Sequence, residues 1–161
     1  MPVTSDITAT YRGPGRVMRR LLDMGQREDR ALAFLMVFCV IVFFAQMPRL
    51  AREAHLSGQE LNVMLGGSLL AWVFIAPLLL YAIAALTHLV ALVFGGKGNW
   101  FGARLALFWS LLASTPILLL HGLVAGFIGP GPGLQAIGLI WLVVFGWFWL
   151  SSLRQAERPV Q

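Results

Sequence analysis

With 161 residues, 58% of them apolar and only 12% charged, the chain has more apolar surface than one water-soluble domain can bury, and its mean hydropathy is +0.78. The net charge of +5 would suit a nucleic-acid partner, but all twelve Lys and Arg residues flank long apolar blocks, which excludes that reading in favour of membrane topology. A single cysteine, Cys39, excludes a disulfide framework and a cysteine-based metal site.

Residues 1–30 form a mostly polar tail without the apolar core of a cleavable signal peptide, so the first apolar run is expected to remain as an anchor. Within the tail, the stretch from Pro14 to Gly25 opens on a proline suited to a first helical turn and closes on a glycine suited to a C-cap. Val17, Met18, Leu21 and Leu22 share one face; Arg16, Arg19, Arg20 and Asp23 share the other. This pattern predicts a basic amphipathic helix in the cytoplasmic headgroup layer, with Arg16, Arg19 and Arg20 contacting anionic lipid at about 1 kcal/mol per arginine. Packing of the same face on the ends of the spans is the alternative.

Block one, Ala31 to Met47, just reaches across a hydrocarbon core, and Arg49 to Leu56 resembles a short surface helix after Pro48. Block two, Leu61 to Phe94, carries no formal charge; at about 51 Å as one helix it must tilt or kink, and Pro77 is the expected kink. Block three, Leu105 to Ile128, contains Pro116 and His121. Block four, Leu134 to Leu150, is rich in Trp and Phe, which together with Trp100, Phe101 and Trp109 suggest interfacial aromatic belts. The connector Gly129-Pro130-Gly131-Pro132-Gly133 permits only a tight turn.

The reading is an all-α membrane protein: a four-span helical bundle over residues 31–150, with spans at about 31–47, 64–94, 105–128 and 134–150, and tails at 1–30 and 151–161. Ten of the twelve Lys and Arg residues fall in the two tails and the second loop, and two, Arg49 and Arg52, in the first loop. That bias predicts both termini in the cytoplasm, as in a multi-pass protein of a bacterial inner membrane.

Chemistry-bearing patterns are sparse. Gly95-Gly96-Lys97-Gly98-Asn99 invites a phosphate-loop reading, but the spacing G-x-x-x-x-G-K-[ST] is absent and no strand precedes it. His55, His88 and His121 fall in separate segments, and no Asp or Glu lies within any span to orient a histidine, so no catalytic residue, metal ligand or cofactor is expected. His88 and His121 are read as interhelical hydrogen-bond formers, and the Gly122/Gly126 spacing as a close helix contact, within the chain or in a homo-oligomer. A polar path through Thr87, His88 and His121, kinked at Pro77 and Pro116, is the rival reading of a small oligomeric transporter.

The stretch Phe94-Gly95-Gly96-Lys97-Gly98-Asn99-Trp100-Phe101, followed by a span carrying Pro116 and a final hairpin, resembles the bacterial branch of the Yip1 domain family. The proline-initiated basic helix from Pro14 to Leu22 before the first span is similar too. Members of that family commonly have five spans, whereas hydropathy here gives four. The resemblance implies a multispan membrane protein linked, in eukaryotic relatives, with vesicle traffic and small-GTPase partners. The function expected is therefore non-enzymatic: organising or shaping the membrane, or serving as an accessory subunit, with membrane lipids and a second copy or another membrane protein as partners.

Overall fold

The computed structural model describes residues 2–159, which form helices joined by short connectors. In chain order these are α1 (Val3–Thr10), α2 (Pro14–Asp23), α3 (Glu28–Ser57), α4 (Leu61–Val93), α5 (Trp100–Ala113), α6 (Thr115–Phe127) and α7 (Pro132–Ala156). Three of them, α3, α4 and α7, are long and apolar enough to cross a membrane. α5 and α6 meet at a 47° bend and make a fourth candidate span if counted together.

Pro48 acts differently from expectation. α3 runs through Pro48 to Ser57 without a break, so Arg49 to Leu56 continues the same rod and is no separate surface helix. Ending a helix frees backbone groups that hydrocarbon cannot satisfy, so the one hydrogen bond lost at Pro48 is the smaller cost. α4 is a single helix, as its uninterrupted apolar run predicts. It adapts over Leu70–Ile75, one wide π-helical turn just ahead of Pro77, which makes room for a residue that cannot donate to the preceding turn.

α5 lies at the centre of the molecule. Every residue from Phe101 to Ala113 is buried except Arg104, whose guanidinium pairs with Glu28 at the start of α3. Aromatic contacts tie α5 to its neighbours: Trp109 meets Phe34 of α3 at 5.0 Å, and Phe108 meets Tyr81 of α4 at 5.0 Å. Phe101 and Trp109, expected in interfacial belts, are instead core residues, because α3, α4 and α7 enclose α5 and Thr10 of α1 meets Trp109. On α7, Trp141, Phe145 and Trp149 stack at successive turns with centroids 5.2 and 5.6 Å apart.

At the α5–α6 bend Pro116 has no N–H to offer, and carbonyls of the last turn of α5 lose their helical partners. Hydroxyls replace them: Ser114 Oγ donates to Leu111 O at 2.8 Å, Thr115 Oγ1 to Leu112 O at 2.7 Å, and Tyr11 Oη to Ala113 O at 2.8 Å. Trp141 Nε1 donates in turn to Ser114 Oγ at 3.0 Å. Burial pushes the Tyr11 phenol above its ordinary pKa, which keeps it protonated and donating. Tyr11→Phe is expected to cost about 1–3 kcal/mol by orphaning the Ala113 carbonyl, read as a lower thermal midpoint in detergent. An unchanged midpoint would mean that water satisfies that carbonyl.

α6 packs closely on α3. A methyl group on Gly122 would run into the Ala45 carbonyl, and one on Gly126 into the backbone of Pro48. α4 is held far more loosely, with only 6% of its most apolar window buried.

Candidate functional site

Polar chemistry gathers at one end of the bundle, where α2, the loop from Phe94 to Asn99 and the last turn of α7 converge. The loop begins where α4 ends. Gly95 turns the chain at φ +85°, a conformation costly for any residue with a Cβ, and Gly96 N–H closes the turn onto Ala91 O at 2.8 Å. The next two residues grip α7: Lys97 N–H donates to the Glu157 carbonyl at 3.0 Å, and Gly98 N–H donates to Glu157 Oε2 at 3.0 Å. Gly98 must lack a side chain, because a Cβ there would collide with the Ala156 carbonyl.

The other carboxylate oxygen of Glu157 lies 3.0 Å from His88 Nδ1. A carboxylate only accepts, so the imidazole carries a proton on Nδ1 and donates it. The pair is buried, with side chains 3% and 9% exposed, and Trp100 tilts against the imidazole at 4.5 Å. The expectation that His88 lacks an acidic partner is therefore corrected: the acid comes from beyond the last span. Glu157 was legible in one respect only, since topology puts it on the same side as the loop. Its pairing with a residue 69 positions earlier leaves no trace in local spacing.

The glycine-rich loop, unsuited to a phosphate loop by spacing, thus uses its amides on an anion after all, one supplied by the chain itself. Asn99 caps α5 by accepting from Gly102 N–H at 2.8 Å.

α2 forms where predicted. Val17, Met18 and Leu21 are buried in the core, against the end of α7, while Arg16 and Arg19 face outward. Arg19 donates to Gln155 Oε1 at 3.2 Å, Arg20 pairs with the buried Asp6 of α1, and Arg16 lies over Gly13. The apolar face is thereby occupied by protein, and the arginine face alone is presented outward.

Two clefts flank α2. One, of about 670 Å³, lies between α1 and α2 and is lined by Arg12, Arg16, Arg20, Ser5 and Thr8. The other, of about 900 Å³, lies between α2, the loop and α7, with Arg19, Lys97 and Arg158 on its walls.

The remaining singled-out residues lie elsewhere. Gly122 and Gly126 face α3, and His121 stands against Gly138 of α7. Thr87 is half-buried and donates to Ile83 O within its own helix, whereas His88 is engaged by Glu157. Among the described residues, no three His, Cys, Asp or Glu side chains come together. Comparison with protein-family models, with curated proteins and with solved structures finds no match for this chain.

Proposed function

We propose that the chain is a non-enzymatic, four-span membrane protein of Yip1-like type, which organises anionic lipid around itself or serves as an accessory subunit, with both termini in the cytoplasm of a bacterial inner membrane. One observation carries the reading: α2 spends its apolar face on α7 and holds its arginines outward beside the ends of the membrane-length helices. A cationic face fixed at that level meets lipid headgroups without having to insert, and each exposed arginine there is worth about 1 kcal/mol toward an anionic surface.

The path of the chain supports the fourth span. α7, of 25 residues, is about 37 Å long, and its far end grips the loop that starts α5. The α5–α6 pair has to cover the same distance in the opposite direction to reach the start of α7. The count of Lys and Arg supports the cytoplasmic orientation of the face carrying both termini. The Gly95 to Gly98 loop and the proline-initiated α2 are the features that support the Yip1 likeness.

The test uses the whole protein, because an isolated α2 peptide would expose an apolar face that the bundle covers. Arg12 and Arg16 are the residues to change, since Arg20 is tied to Asp6 and Arg19 to Gln155. Arg12→Gln with Arg16→Gln is expected to reduce co-purifying phosphatidylglycerol about thirtyfold in affinity terms, from about 2 kcal/mol, measured by lipid mass spectrometry after reconstitution in mixed bilayers. Unchanged lipid enrichment would remove the lipid-organising reading.

A further inference from the structure

We infer that the cleft between α2, the loop from Phe94 to Asn99 and the end of α7 is a binding site for a phosphate group. This goes beyond the lipid-facing arginines of α2, because the cleft adds Lys97 and Arg158 from two further segments to Arg19.

Arg19 comes from α2, Lys97 from the loop and Arg158 from the residues after α7. Among the described residues Asp23 is the single carboxylate on the lining, which gives them an excess of two positive charges. None of these four side chains forms an ion pair among the described residues. Among the described residues Arg19 hydrogen-bonds to the neutral Gln155 amide, which orients its guanidinium without cancelling the charge.

Glu157, next in the chain to Arg158, would neutralise the site if it turned inward. It is held away: one oxygen is engaged by His88 and the other by Gly98 N–H. The same bonds, with that from Lys97 N–H to the Glu157 carbonyl, fix the loop backbone that carries the lysine. The backbone that carries Lys97 is therefore set before a ligand arrives, which lowers part of the ordering cost of binding.

The shape and chemistry select the ligand class. Arginine forks and a lysine point charge suit the several oxygens of a tetrahedral oxyanion, and about 900 Å³ accommodates a phosphate with a small organic substituent. Leu22 and Phe101 add an apolar part to the lining, suited to the carbon skeleton next to the phosphate.

The phosphate can be a lipid headgroup or a soluble ester, and the experiment separates the two. The full chain in nanodiscs of phosphatidylcholine is titrated with glycerol 1-phosphate by calorimetry. In parallel, the chain in nanodiscs containing phosphatidylglycerol is assayed by native mass spectrometry for retained anionic lipid. Lys97→Gln with Arg158→Gln is compared with the parent and with Arg12→Gln plus Arg16→Gln; circular dichroism checks that both doubles remain helical.

Loss of about tenfold or more in glycerol 1-phosphate affinity in the Lys97/Arg158 double alone assigns the site to a soluble ester. Loss of one retained phosphatidylglycerol in that double alone assigns it to a lipid headgroup. The inference is overturned if the parent binds neither probe saturably, if the Lys97/Arg158 double binds as the parent does, or if the Arg12/Arg16 double loses as much. A loss confined to the Arg12/Arg16 double would sink the cleft while leaving the lipid-organising reading of α2 intact.

Discussion

Gly126→Leu is expected to abolish the folded bundle. Its Cβ would enter the space held by the Cβ and backbone of Pro48, so no rotamer choice relieves the overlap and α6 must back away from α3. Those two helices form the most extensive helix pair in the molecule, and Gly122, one turn earlier, meets Ala45 in the same way. In lipid there is no hydrophobic gain to hold parted helices together, since tails and side chains are equally apolar; close packing is what binds them. Overpacking alone costs about 1–3 kcal/mol, and the loss of the whole contact adds to it. The expected readout is loss of the monodisperse peak in mild detergent, with Gly126→Ala intermediate. Gly146→Ala serves as a control, since nothing lies within 4 Å of its would-be Cβ. Parent-like behaviour of Gly126→Leu would refute the packing argument.

Glu157→Ala is the second large effect, at about 1–3 kcal/mol for each of the two donors that it leaves without an acceptor. His88 Nδ1 and Gly98 N–H would both be left unsatisfied near the end of the bundle, whereas the bond from Lys97 N–H to the residue 157 carbonyl survives. Glu157→Gln should be milder, since an amide oxygen can still accept one of the two bonds. In hydrogen exchange the loop from Phe94 to Asn99 and the last turn of α7 should lose protection in Glu157→Ala, with α3 and α6 unaffected. Adding His88→Leu to Glu157→Ala should restore part of the lost stability, because the orphaned imidazole is gone. Equal protection of the loop in the parent and in Glu157→Ala would show that the pair does not hold it.

The long helices α3, α4 and α7 were readable in the sequence because runs of apolar residues between charged flanks have one economical solution in lipid. The turn at Gly129 to Gly133 was equally plain. Other features were ambiguous for identifiable reasons. Val17, Met18 and Leu21 would show the same periodicity whether they met acyl chains or the end of α7, so the pattern located α2 but not its partner. Hydropathy likewise cannot separate a lipid-facing tryptophan from Trp109, which is enclosed by protein. Pro48 looked like a terminus because its local cost is visible in the sequence and the larger cost of stopping there is not. At the candidate site the loop and His88 were singled out, but Glu157 was overlooked because its contacts join residues 59 and 69 positions apart.

The enclosure of α5 has a consequence for biogenesis. Its neighbours are drawn from both extremes of the described chain: Trp109 Nε1 donates to Thr10 Oγ1 at 3.2 Å, and Tyr11 meets Phe148 edge to face at 4.9 Å. A nascent chain that has delivered α1 through α6 to the bilayer still lacks the wall against which Tyr11 and α2 settle. Closure waits on the arrival of α7, so quality-control proteases have their widest opportunity just before translation reaches Phe148, and premature stop codons downstream of Phe127 should yield fragments that are cleared instead of accumulating.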